Sequence, residues 1–372
     1  MPPKLAASTC HRQIGVALIT VLLIVFLASV TATGLATLQQ LAIRRSTVLQ
    51  HQQQARLYTL GLEQWAMVIL ARDRQDNEID HPDEEWAKPL LLPVDGGELS
   101  GQITDLQSCF NLNNLWRAAP GGQRPEPNDH DRDRPTGEDM KQEAESRAAT
   151  EDATAEPSPA IPQSPANPDP SQSGKEGLDQ PQMQVLQRLL ESLALKPELA
   201  QAIVDWIDPN LDPLFPDGAE DSDYMVLDPA YLAANRPFAS VSELRLVKGV
   251  DRETYDKLAP YVRALPPGTA LNVNTASAPV LAALSDDGVD EEELERLLET
   301  RPTAGYDDVD KFLNAAKLAV NAELKAHLSV GSQYFLLRAE ARVGDGRAML
   351  YSMLYRDKDG VRVLRHGFGN QD

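Results

Sequence analysis

No charged side chain occurs between Gln13 and Ile43 of this 372-residue chain, and that gap limits the possible folds more than any other feature. Its apolar part, Val16 to Leu38 (VALITVLLIVFLASVTATGLATL), reaches the ~20 residues that a helix needs to cross the hydrocarbon layer of a bilayer. Backbone polar groups there must be satisfied within the segment, so the stretch reads as one helix. Lys4, His11 and Arg12 precede it and Arg44 and Arg45 follow it, which leaves only a weak charge bias for orientation. A secretory signal is cut after its apolar run. Here Gly15 stands between the bases and the apolar run, so a cut at Gly15 would leave the helix on the mature chain. Leu41, Val48, Leu49, Leu57, Leu60, Trp65, Val68, Ile69 and Leu70 continue an apolar pattern at helical spacing, with no proline before Asp73. The spacing predicts a single helix over 16–72, its first half in lipid and its second half amphipathic.

A formal charge of -21 and a pI near 4.7 repel nucleic acid and anionic lipid over most of the surface, so membrane attachment has to be local. Of the two cysteines, Cys10 precedes Gly15, and Cys109 alone supports no disulfide framework. Gly96 to Leu115 (GGELSGQITDLQSCFNLNNL) reads as a hairpin followed by a polar loop within a segment 73–118. From 119 to 182 Pro, Asp, Glu, Ser, Gln and Ala dominate. This acidic, Pro-rich insert cannot bury enough apolar surface to offset its ordering entropy and is expected to be disordered.

Helical patterning resumes with MQVLQRLLESLAL from Met183, and Pro197 opens PELAQAIVDWID. Next come Asp205, Asp208, Asp212, Asp217, Glu220, Asp221 and Asp223, threaded with Pro209, Pro213, Pro216 and Gly218. The stretch DGAEDSDY, Asp217 to Tyr224, supplies the clustered oxygens that calcium requires, without EF-hand spacing. On spacing alone it reads first as a solvated acidic loop, and Asp208 reads as a helix cap. Ser240–Val262 and Asn272–Leu313 each look like a degenerate helix-hairpin-helix, and NVNTA resembles periplasmic DNA-uptake modules. A membrane-tethered module binding nucleic acid or peptide is therefore the alternative function. The second hairpin, however, is SDDGVDEEE, whose negative field repels a phosphate backbone, so no nucleic-acid partner is expected.

Ser329–Val343, Arg347–Arg356 and Val361–Gly367 alternate apolar and polar residues between GDG and DKDG turns, which predicts three antiparallel strands over 327–372. The six histidines (His11, His51, His81, His130, His327 and His366) are scattered, and no nucleophile triad, Walker loop or zinc pattern occurs. An enzyme is not expected.

The leader end RQIG (Arg12 to Gly15), the core VALITVLLIV and the continuation QQLAIRRSTVLQHQQQARLYTLGLEQWA (Gln39 to Ala66) together resemble the minor pseudopilin K family of type II secretion. The resemblance implies an α+β fold: a pilin-like long N-terminal helix packed on an antiparallel sheet, with a large inserted all-helical domain of helix-hairpin-helix or SAM-like type. On this reading 1–15 is a prepilin leader, 16–72 the long helix and 73–118 the first part of the head. The disordered insert at 119–182 is followed by the helical domain at 183–326 and the last head strands at 327–372.

The family further implies cleavage by prepilin peptidase after Gly15 and methylation of Val16. Most pilin-like subunits carry a glutamate at the fifth mature position, which here is Thr20. A carboxylate in hydrocarbon persists only when paired, so a subunit lacking it need not dock beneath another, and this fits a place at the tip of the pseudopilus. FNLNNL is expected to begin the pilin sheet. Ca2+ is expected at Asp217, Glu220 and Asp221, with Asp212 as a further ligand. The implied partners are the I and J minor pseudopilins and the pseudopilus, and the implied location is the inner membrane, single-pass, with the bulk of the chain in the periplasm.

Overall fold

The computed structural model describes residues 14–117, 177–286, 289 and 291–369. Most of the expected leader and most of the expected acidic insert lie outside the described residues. The chain divides into two compact units, Met1–Leu106 with Gly331–Asp372, and Gln107–Val330.

The first unit is built on helix α1, Ile14–Asp76. Its stretch from Leu18 is long and apolar enough to cross a membrane, and side chains such as Leu22, Ile24 and Phe26 are exposed. Beyond Arg45 the helix becomes two-faced. Ala55, Leu62, Ala66, Ile69 and Leu70 are buried, at the three- and four-residue steps that place side chains on one face. Leu49, Leu57, Trp65 and Val68, which also follow helical spacing, are exposed. The apolar pattern read from the sequence therefore spans two faces, of which only one packs within this unit.

That buried face lies on a five-stranded sheet of β1 (Leu90–Val94), β2 (Gly97–Asp105), β3 (Tyr334–Val343), β4 (Gly346–Asp357) and β5 (Gly360–Phe368), ordered β1-β2-β3-β4-β5 with every neighbouring pair antiparallel. Along β3, Phe335, Leu337, Ala339, Ala341 and Val343 point inward at the two-residue period of a strand. Each large side chain buried this way contributes about 1.5–3 kcal/mol. Trp86 meets Phe335 edge to face, with ring centroids 5.1 Å apart. The β3–β4 turn requires glycine at 344, where φ is +50° and an added Cβ would lie 2.5 Å from the His51 ring. Three C-terminal strands form as the sequence reading expected, but the first begins at Tyr334 rather than Ser329, because Ser329 pairs with Asn272 in the helical unit.

The second unit consists of α2 (Gln180–Ser192), α3 (Leu199–Ile207), α4 (Asp221–Tyr224), α5 (Arg252–Leu258), α6 (Ala278–Ala282), α7 (Glu291–Glu299), α8 (Val309–Ala316) and α9 (Ala322–Lys325), with 3-10 helices at Leu112–Leu115, Val241–Leu246 and Ala259–Tyr261. Two short parallel pairings divide it into halves. Phe110–Asn111 pairs with Val262–Arg263, and Leu271–Asn272 pairs with Leu328–Ser329. Leu112, Leu115, Leu186, Leu189, Ile203, Leu244 and Phe312 are among its fully buried side chains.

Three expected boundaries are corrected. FNLNNL does not begin the pilin sheet, because Phe110 and Asn111 pair within the helical unit and Leu112 and Leu115 are wholly buried in its core. The helical unit therefore starts at Gln107 rather than 183 and ends at Val330 rather than 326. The expected insert ends earlier than 182, since Asp179 caps α2 by accepting from the Gln182 amide, and Pro181 sits in the first turn, where its missing donor costs nothing.

Candidate metal centre

Helix α3 ends at Ile207 with Asp208 as its C-cap residue, so Asp205 and Asp208 stand three residues apart at the helix end. The chain loops out and returns with Glu220 at the start of α4. Asp205 and Asp208 are 0% exposed and Glu220 is 2% exposed. One carboxylate oxygen from each lies within 4.8 Å of the others.

Backbone geometry fixes this arrangement. The Asp205 carboxylate accepts from the Leu214 amide at 3.1 Å and from the Ala219 amide at 2.7 Å, so one side chain shapes the loop between them. Gly218 makes the close approach possible, because a Cβ there would lie 2.1 Å from Asp205 Oδ2. Asp208 accepts from the Asn210 amide at 3.2 Å and from its Nδ2 at 2.9 Å. Both oxygens of Glu220 are buried and accept no regular hydrogen bond.

Burial pushes all three carboxyls up, and repulsion from neighbouring carboxylates adds to it. Asp205 rises to about 6, mainly through burial and against the pull of its two amides. Asp208 rises to about 7, through burial and then the Asp205 charge, with Asp212 adding to it. Glu220 rises to about 8, through burial and then Asp208 and Asp205. Among the described residues no lysine, arginine or histidine pairs with any of the three, and Lys248 is taken by Asp223 at 2.7 Å. Three such groups cannot all ionise in a dry site without a cation. An all-oxygen donor set that includes the buried, poorly partnered oxygens of Glu220 fits a hard divalent ion such as calcium, which takes six to eight oxygens.

Of the expected ligands, only Glu220 belongs to this cluster. Asp212 is exposed, near enough to raise Asp208. Asp217 is exposed, and its amide donates to Gln201 Oε1 at 2.7 Å. Asp221 turns away, its Oδ1 accepting from the Ala233 amide at 2.9 Å. The sequence reading did not name Asp205 and Asp208 among its candidate ligands. The available signal was their spacing at a helix end directly before Pro209, which brings two carboxylates to one side of the loop.

A second carboxylate group, Asp73, Asp80 and Glu84, does not fit a cation because Arg356 already occupies it. Arg356 Nη1 is 2.7 Å from Asp73 Oδ2, and Nη2 is 2.6 Å from Asp80 Oδ1 and donates to the Ser332 carbonyl at 2.9 Å. Asp73 is nevertheless pushed up to about 7 by burial and Glu84. Gly15, Val16 and Thr20 lie in α1.

Two family models, each described as type II secretion system (T2SS), protein K, match residues 108–267 and 271–331. These spans coincide closely with the halves closed by the two parallel pairings. Relatives described as type II secretion system protein K include one from Pseudomonas aeruginosa, 35% identical, with the alignment covering 96% of this chain and 93% of the relative. Another, from Aeromonas hydrophila, is 33% identical over 96% of this chain and 97% of the relative. The crystal structure of the GspK-GspI-GspJ complex of enterotoxigenic Escherichia coli contains a chain 26% identical to this one. It superposes with a TM-score of 0.64, covering 88% of this chain and all of that one. On these matches, together with the long apolar helix, the antiparallel sheet and the two-part helical unit, the chain belongs to the type II secretion system protein K family, the minor pseudopilins.

Proposed function

We propose that this subunit caps the tip of a periplasmic pseudopilus and helps start its assembly, held in the inner membrane by α1 with its bulk in the periplasm. The observation that carries this reading is Thr20. It lies within an uncharged stretch from Gln13 to Ile43, so the helix brings no buried carboxylate that would need the amine of a subunit above it. A helical unit inserted between β2 and β3 supports the same position, since it adds bulk to the head.

The mature chain begins at Val16, after prepilin peptidase cuts at Gly15 and methylates the new terminus. Its neighbours are the I and J subunits, by analogy with the complex of the relative. The role is association rather than catalysis. Asp205, Asp208 and Glu220 hold calcium, with Asp212 at the rim. The ion supplies positive charge that offsets three buried carboxylates, while the loop's own amides orient Asp205. Asp217 and Asp221 remain outside this set.

Processing and position are tested together in cells. Gly15→Ala leaves an uncut chain of higher mass that fails to co-purify with I and J. Normal cutting and co-purification of that variant would remove the site assignment.

A further inference from the structure

Among the described residues of the helical unit, seven large apolar side chains are left exposed, and six of them, Leu211, Phe215, Met225, Val226, Leu227 and Leu232, fall in one loop segment. Phe215 is 94% exposed and Val226 81%. Side chains so placed oppose the hydrophobic effect in the isolated chain.

The segment is held rather than loose. Asp205 ties down the Leu214 and Ala219 amides. At the next residue, Trp206 packs edge to face on Tyr224 and Tyr231, at 5.2 and 6.3 Å, and its carbonyl accepts from the Asn235 amide at 3.0 Å. Tyr231 stacks on Tyr224 at 5.3 Å and donates its hydroxyl to the Leu246 carbonyl at 2.8 Å. Both turns that carry the apolar tips are thus anchored at consecutive residues of α3, so a partner need not supply the energy of ordering them.

The charge of the segment selects the partner. No lysine, arginine or histidine occurs from Pro197 to Asn235, and Asp212, Asp217 and Asp228 are exposed beside the apolar tips. We propose that this loop is a docking surface for a protein whose matching patch is apolar and rimmed by lysine and arginine. An anionic bilayer and a second copy of the same loop both meet like charge there, whereas a basic rim meets its complement. This goes beyond the pseudopilus-tip reading and does not depend on it.

The test uses the full chain in zwitterionic lipid nanodiscs with calcium present. Two labelled short amphipathic peptides serve as probes, one of leucine and lysine and its twin with glutamate for lysine. The lysine peptide binds, the glutamate twin does not, and Phe215→Ser with Val226→Ser weakens binding about tenfold or more at an unchanged melting temperature. A second pair, Asp217→Lys with Asp228→Lys, keeps the apolar tips and reverses the preference between the peptides. Equal binding by wild type and the serine variant would overturn the proposal, since it would leave only general charge attraction. So would flotation with phosphatidylglycerol vesicles that is lost in the serine variant, because it would make lipid the occupant.

Discussion

Asn113 and Asn274 hold the same place in the two halves of the helical unit. Each accepts from the amide of an aromatic residue, Phe238 at 2.7 Å and Tyr306 at 2.9 Å, and returns its Nδ2 to the carbonyl of that same residue at 3.0 Å. Each then donates to a second carbonyl near the end of its half, Leu265 at 2.8 Å and Val330 at 3.2 Å. Both asparagines are buried, so the side-chain amide replaces water for three backbone groups at once.

Removing either amide leaves buried backbone groups unpaired, at about 1–3 kcal/mol each. Asn113→Ala and Asn274→Ala are each expected to lower stability by about 2–4 kcal/mol, measured by denaturant unfolding of the full chain. Asn→Asp at either position is expected to be worse, because a carboxylate oxygen would then face two carbonyls. A loss below about 0.5 kcal/mol for both alanine variants would refute the clamp role.

The ends of the 118–176 segment are joined by local contacts. The Arg117 amide donates to the Gly177 carbonyl at 2.7 Å, Trp116 bridges Leu178, and the Arg117 guanidinium pairs with Asp179 at 2.6 Å. Replacing 118–176 with a short Gly-Ser linker is therefore expected to leave the melting temperature within about 3 °C of wild type. A drop of more than about 10 °C would assign that segment a packing role.

If calcium binds as proposed, it and pH act on the same three buried carboxylates. With metal removed, Asp205, Asp208 and Glu220 hold protons more tightly folded than unfolded. As pH rises past the ordinary carboxylate range, about 4, the unfolded chain releases protons that the folded chain keeps. Their contribution to stability therefore falls as pH rises from about 4 toward 8, the folded value of Glu220 being about 8. Calcium at a hundredfold excess over its dissociation constant is expected to restore about 2.7 kcal/mol, or roughly 5–10 °C, and more at pH 8 than at pH 5. Thermal melts with calcium or chelator at both pH values check this. Identical melts would remove the metal.

The sequence disclosed much of the first unit, because its signals are local. An uncharged run and two-residue alternation follow from what a bilayer and a pleated strand demand of adjacent positions. The carboxylate cluster was only half legible. DGAED is conspicuous as a string of acids, yet Asp217 and Asp221 point elsewhere, while Asp205 and Asp208 are gathered by a loop whose return depends on Gly218. Such convergence depends on tertiary closure and not on density of charge. FNLNNL misled for a related reason. Its partner strand, Val262–Arg263, lies far along the chain, and nothing local marks that pairing.

Strand β3 pairs with β2 from Gly97↔Val343 to Asp105↔Phe335, although the whole helical unit is translated between them. The order of synthesis therefore opposes the order of the sheet. The β1–β2 hairpin is made early but keeps an open edge until Gly331 and the residues after it arrive, and closing so long a loop carries an entropic penalty that grows with its length. Folding of the helical unit first would replace a long flexible tether with a fixed one. Until then the edge of β2 is a strand looking for a partner, and this interval is when the chain is most exposed to pairing with the wrong one.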